Sequence, residues 1–198
     1  MRKDSHWKER GIIPALILFL ICMCATAALA FTYELTAERR ALNETEGLLH
    51  MKQAIFPEAD NFKPVKLPAG AAQDRVNFCE AAYQGETLLG YLIQSSIKGY
   101  GGLVPVLSGF NLEGEIEAIL VGDNEETAGL GKRIEEEDFR QQFAGQTAQN
   151  YFTVGKTSST DPAISDVKID AISGATISSD AVCQAVNNAA ELFRLLHE

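Results

Sequence analysis

No charged residue interrupts the stretch from Gly11 to Thr32, GIIPALILFLICMCATAALAFT, and nothing else in the 198-residue chain limits its folding as tightly. As an α-helix, about 22 residues rise about 33 Å, the thickness of a bilayer's hydrocarbon core. Pro14 falls in the first turn, where its missing N–H costs little. Ahead of the run stand Arg2, Lys3, Lys8 and Arg10 against Asp4 and Glu9, a basic excess that predicts a cytoplasmic N-terminus and an external main domain. Ala28-Leu29-Ala30 offers a competing reading as a signal-peptide cleavage site. The run exceeds an ordinary signal core, and Trp7 and Arg10 flank it as interface anchors, so an uncleaved single-pass anchor is the stronger expectation.

The formal charge is −10, and with the basic cluster at the start, the remainder is more acidic still. Such a surface argues against nucleic acid or anionic headgroups as partners of the main domain. Length and composition suit one modest domain plus an anchor. Of the four cysteines, Cys22 and Cys24 lie in the apolar run, while Cys79 and Cys183 fall in a predicted strand and helix. Their spacing fits buried small apolar residues and leaves a Cys79–Cys183 disulfide open. His6, His50 and His197 form no ligand cluster, and no metal site is expected.

Leu35, Leu42, Leu48, Leu49 and Ile55 continue a helical pattern that ends at Phe56-Pro57, and Lys63-Pro64 through Ala69-Gly70 reads as a loop. From Val76 the period becomes that of strands. Val76–Tyr83 and Thr87–Ile93 flank Gln84-Gly85-Glu86, and Leu103–Leu112 and Glu115–Val121 flank Glu113-Gly114, a pair of hairpins. A helix is expected from Glu135 to about Ala148, with Phe139 and Phe143 on one face, and a short strand over Asp166–Asp170. The terminal helix carries Val182, Ala185, Val186, Ala189, Phe193 and Leu196 as a core-facing stripe. Short strands joined by tight turns, with helices against them, predict an α+β domain built on an antiparallel sheet.

Asp170-Ala171-Ile172-Ser173-Gly174-Ala175-Thr176 lies between that last strand and the terminal helix. Gly174 and Ala175 make a tight turn that leaves the Thr176 hydroxyl unshielded, beside N–H groups without intrahelical partners. A phosphate placed there meets free donors and the positive end of the helix dipole. Asp170, on the near side of the turn, is placed to orient a hydroxyl or a metal ion during a modification. From residue types alone, Thr176 reads first as a helix N-cap, the commoner role of such a residue before a helix.

The segment resembles the flavinylation motif of the covalent FMN-binding domain found in the Rnf complex G subunit and the Na⁺-pumping NADH:quinone oxidoreductase C subunit. By that resemblance a flavin transferase joins FMN to Thr176 through a phosphoester, Asp170 is the motif's acid, and Ser173, Gly174 and Ala175 form the presenting turn. Two more segments fit. Lys98-Gly99-Tyr100-Gly101-Gly102 is similar to the family's KGYGG loop, with Tyr100 and Gly101 placed for a flat ring. Glu125-Glu126-Thr127-Ala128-Gly129-Leu130-Gly131 is similar to its ETPGLG loop, which implies flavin contacts for Glu126, Thr127, Leu130 and Gly131. Ala128 replaces the usual proline, which loosens the loop, and Glu126 reads alternatively as a solvated acid.

The resemblance implies residues 1–10 in the cytoplasm, a transmembrane helix at 11–32, a stalk and linker at 33–68, and an FMN-binding domain at 69–198 outside a bacterial inner membrane. It implies one covalent FMN, the other Rnf subunits as partners, and electron transfer within an ion-translocating ferredoxin:NAD⁺ oxidoreductase. Two other readings stand beside it: a quinone-reductase C-type flavoprotein, and a membrane-anchored binding or assembly module whose Thr176 is never modified. A hydrolase using Ser173 or Thr176 lacks a base, since His197 lies at the far end of the terminal helix and no Gly-x-Ser-x-Gly elbow is present. Nor does a Gly-x-Gly-x-x-Gly follow a predicted strand, so NAD binding by this chain is not expected.

Overall fold

The computed structural model describes residues 12–67, 75–155 and 165–197, which fall in two compact units, Met1–Gly47 and Leu48–Glu198. The basic cluster between Arg2 and Arg10 and the end of the loop at residues 68–70 lie outside the described residues. Helix α1 spans Ile13–Ile55, and its part Ile13–Ala37 is long and apolar enough to cross a membrane. Leu16, Phe19, Leu29 and Phe31 are exposed along it, a surface costly in water and neutral in hydrocarbon. Thr26 and Thr32 donate their hydroxyls to the carbonyls of Cys22 and Ala28, at 2.8 and 3.0 Å. Those bonds remove polar hydrogens from an apolar surface.

The second unit is built on a five-stranded antiparallel meander: β1 (Asn61–Pro64), β2 (Val76–Gln84), β3 (Thr87–Lys98), β4 (Leu103–Asn111) and β5 (Ile116–Val121). Both hairpins expected from the sequence are present. The reading of Lys63-Pro64 as loop is corrected. These residues end edge strand β1 opposite Ala81 and Glu80, where a proline at a strand end sacrifices no central ladder bond.

The single helix expected from Glu135 to Ala148 is replaced by three short turns. They are a 3₁₀ turn at Gly131–Glu135, α2 (Glu137–Arg140) and a second 3₁₀ turn at Gln141–Phe143. The backbone beyond Phe143 is committed elsewhere. Gly145 N–H donates to Ile116 O, Ile116 N–H to Gln146 O and Ala148 N–H to Gly114 O, at 2.7–2.8 Å. Those bonds extend the β5 edge and end the helix. Phe139 and Phe143 still share a buried face, edge to face with ring centroids 5.9 Å apart.

Two further strands, β6 (Asn150–Thr153) and β7 (Ser165–Lys168), pair in parallel as a small second sheet. β7 matches the expected strand before the motif; β6 was not legible, being four residues without clear alternation. The chain ends in α3 (Thr176–His197).

Helix α3 buries Val182, Cys183, Ala185, Val186, Ala189 and Phe193 in one cluster with Ile93, Val104, Val106 and Phe110 of the sheet. Phe193 stacks on Phe110 at 5.1 Å. The sheet's other buried cluster joins Ala82, Leu92 and Leu107 to Ile55, Phe56 and Ala59, at and just beyond the end of α1. Lys52, in the last turn of α1, pairs with Glu80 at 2.5 Å and lies over the Phe78 ring at 5.2 Å.

Cys79 and Cys183 are both buried and free of a disulfide. Burial, with the Glu80 charge adding, pushes the Cys79 thiol up to about 12, and burial, with Asp180 adding, does the same for Cys183. An unfolded thiol ionises near its ordinary value of 9.0, so the thiols' contribution to stability is intact below pH 9 and is lost as pH rises toward 12. Unfolding in denaturant at pH 8 and pH 10.5 checks the sign, with lower stability expected at pH 10.5. Under native conditions at pH 8, alkylation of these two thiols should be negligible until denaturant is added.

Candidate functional site

The turn that precedes α3 is closed by a hydrogen bond from Ala175 N–H to Ile172 O, at 2.9 Å. Gly174 sits at φ +81°, a left-handed conformation that an L side chain rarely adopts. The first helical bond runs from Ser179 N–H to Ala175 O, at 2.9 Å. Ala175 is therefore the cap position and Thr176 the first helical residue, so the cap reading of Thr176 is corrected. Ser179 performs the local tying. Its buried hydroxyl accepts from Ile172 N–H at 3.1 Å and donates to Ala175 O at 3.0 Å. Thr176 is exposed, and no hydrogen bond to its hydroxyl forms among the described residues. The N–H groups of the turn it opens have no carbonyl four residues back inside the helix.

The strand side of the motif is held by one side chain. Gln142 accepts from Asp170 N–H at 2.7 Å and donates to Asp170 O at 3.3 Å, as a neighbouring strand would. The Gln142→Ala variant should lose about 1 kcal/mol, measured by chemical unfolding.

Two glycine-rich loops meet the start of α3 around a carboxylate. Glu126 is buried, 4% exposed, which rules out the solvated-acid reading. Its Oε1 accepts from Gly101 N–H at 3.0 Å, and its Oε2 accepts from the buried Ser178 hydroxyl at 2.6 Å. A Cβ on Gly99 would lie 2.4 Å from Oε1, and one on Gly131 2.6 Å from Oε2. Only hydrogen at these two α-carbons admits the carboxylate.

These three segments enclose a cleft of about 520 Å³, lined by Tyr100, Glu126, Thr127, Leu130, Gly131 and the first turn of α3 with Gly174 and Ala175 before it. That volume is ordinary for a small-ligand site. Of the residues singled out from the sequence, Tyr100, Glu126, Thr127, Leu130, Gly131, Gly174, Ala175 and Thr176 line the cleft together. Gly101, Ser173 and Asp170 do not. Gly101 supports Glu126 from behind, and Ser173 and Asp170 are exposed on the turn. Sequence reading missed Ile177 and Ser178, which also line it. Ile177 is 58% exposed at the start of an otherwise well-buried helix, and an apolar side chain at that place was the available signal. Among the described residues, no group of three or more His, Cys, Asp or Glu side chains is placed to hold a metal ion.

Tyr100, Leu130 and Ile177 expose apolar surface around the cleft, and the Thr176 hydroxyl, unpartnered among the described residues, stands on its wall at a helix N-terminus. Apolar side chains beside one anion-accepting end suit an apolar ligand that carries a phosphate. Fold and site together define an α+β small-ligand-binding domain, and residues 99–191 match the FMN-binding domain family. The chain belongs to the family formed by the G subunits of ion-translocating oxidoreductase complexes. It is 31% identical over 193 residues to the G subunit of the ion-translocating oxidoreductase complex of Methanosarcina acetivorans, covering 95% of each chain. It is 29% identical over 191 residues to the G subunit of the Na(+)-translocating ferredoxin:NAD(+) oxidoreductase complex of Acetobacterium woodii, covering 91% of this chain and 90% of that one. The C subunit of the Na(+)-translocating NADH-quinone reductase from Parabacteroides distasonis shares the fold, with a TM-score of 0.52 at 18% identity over 71% of this chain and 79% of that one.

Proposed function

We propose that this chain is a membrane-anchored electron-carrying subunit of an ion-translocating ferredoxin:NAD⁺ oxidoreductase, with one FMN joined by a phosphoester to Thr176. The observation that carries the reading is the Thr176 hydroxyl, exposed and unpartnered among the described residues, at the first position of α3 and on the wall of the cleft. A bound flavin exchanges electrons singly or in pairs, which suits a relay between carriers. The protein's own part is binding and orientation. The first-turn N–H groups of α3 and the positive end of its dipole receive the phosphate. Tyr100, Leu130 and Ile177 would offer apolar surface to the ring, and Thr127 would offer a hydroxyl from the same cleft wall. Asp170, exposed beside the turn, is available to the transferase during maturation.

In the attachment step, Thr176 Oγ would form a P–O bond to the flavin's phosphorus as the phosphoanhydride bond of a flavin dinucleotide donor breaks, the nucleoside monophosphate leaving and taking up the hydroxyl's proton. The partners are the other subunits of the complex and a flavin transferase. The apolar part of α1 crosses the cytoplasmic membrane once, with the N-terminus inside and the flavin domain outside, as the basic cluster ahead of it favours. The quinone-reductase relative shares the fold, but the G subunits match over nearly the whole chain, which favours the ferredoxin:NAD⁺ complex.

The test is ultraviolet imaging of the denatured chain on a gel after production with an active flavin transferase. A fluorescent band is expected, retained in part by Thr176→Ser, which keeps a hydroxyl. A dark band would leave an anchored assembly module as the better account.

A further inference from the structure

Three glycines, one serine and one carboxylate converge beside the cleft, where the two glycine loops meet α3. Both Glu126 oxygens are taken up by the protein. Oε1 holds the N–H of Gly101, next to Tyr100, and Oε2 holds the hydroxyl of Ser178, two residues past Thr176. Glu126 N–H is itself fixed by Asn124 Oδ1 at 3.1 Å. Asn124 also donates to Gly122 O and to Glu135 Oε1, each at 2.9 Å, so the loop bearing Glu126 is fastened at both ends.

Building on the assignment of Thr176 as the attachment residue, we infer that Glu126 is a positioning residue that sets the distance between Tyr100 and Thr176 by bridging Gly101 and Ser178. Reach matters here more than charge. Glutamine has the same length and can accept from Gly101 with its carbonyl while its amide donates to Ser178, whose hydroxyl turns to suit. Aspartate keeps the charge, but one methylene shorter it cannot span both partners. A direct charge effect on the flavin, on the transferase or on local potential predicts the opposite order.

The full chain is compared as wild type, Glu126→Gln and Glu126→Asp, by two readouts. The first is amide hydrogen exchange at Gly101, measured without the transferase and independent of any flavin. The second is covalent flavin per chain after a short, fixed exposure to the transferase, with the anisotropy of the attached flavin's fluorescence. Glu126→Asp should exchange about tenfold faster at Gly101 and label about tenfold less, roughly the factor carried by one charge-assisted hydrogen bond, with lowered anisotropy in whatever is labelled. Glu126→Gln should stay within about threefold of wild type on both counts. Glu126→Asp behaving as wild type, or Glu126→Gln failing as badly as Glu126→Asp, would overturn the inference. A wild-type chain that never takes up flavin would instead defeat the assignment of Thr176, and the Gly101 exchange order would still decide the bridge.

Discussion

Thr176→Ala should carry no covalent flavin at all and should fold as the parent does. The chemical half of that expectation follows from the missing oxygen: without Oγ there is nothing to form the phosphoester. The structural half follows from the cap geometry. A threonine acting as N-cap would cost about 1 kcal/mol on truncation, but here the cap position is Ala175 and the tying is done by Ser179 through Ile172 and Ala175. Thr176 is exposed in the first turn, and alanine is the better helix former there. The variant's stability should therefore fall within about 0.5 kcal/mol of the parent. Circular dichroism with chemical unfolding checks the fold, and in-gel fluorescence checks the flavin. A variant that loses the flavin by unfolding would say nothing about attachment; one that stays folded and dark assigns the oxygen.

The second large effect is on the frame that delivers the motif. Phe143 is fully buried, between Phe139 at 5.9 Å and Phe152 at 5.3 Å between centroids. Its neighbour Gln142 holds Asp170 by two hydrogen bonds. Phe143→Ala removes a ring from a site walled by other rings and fixed backbone, so the cavity will not collapse fully. A loss of about 3–5 kcal/mol is expected, lowering the melting temperature by about 10–15 °C for a domain of this size. Thermal unfolding measures it, and the covalent flavin yield should fall with it because the strand before Thr176 rests on this packing. A loss below about 1 kcal/mol would mean that the three rings do not form the tight contact described.

Much of this architecture could be read from residue order because local and long-range preferences agree there. The hairpin from Val76 to Lys98 has alternating strands and a glycine turn, and the α3 stripe has helical spacing. The failures came where tertiary bonds overruled local preference. Residues 135–148 have helical spacing, yet Gly145, Gln146 and Ala148 spend their backbone groups on Ile116 and Gly114. Lys63-Pro64 looked like loop because proline is a poor strand former, which does not apply at a strand's end on a sheet edge.

In the cleft, the motifs brought together Tyr100, Glu126, Leu130 and Thr176. Glu126, which the resemblance implies as a flavin contact, lines the cleft, and its oxygens also join the loop at Gly101 to Ser178 of α3. Nothing in the spacing of residues 126 and 178 announces that they meet, so Ser178 had no local signal to betray it.

The most direct measurement of the central claim is the intact mass of the full chain made with an active flavin transferase, followed by fragmentation of the peptide spanning Asp170 to Ser179. The account predicts one addition per chain, equal to FMN less one water, on Thr176. An unmodified mass, or the same addition on Ser173, Ser178 or any other residue, would contradict it.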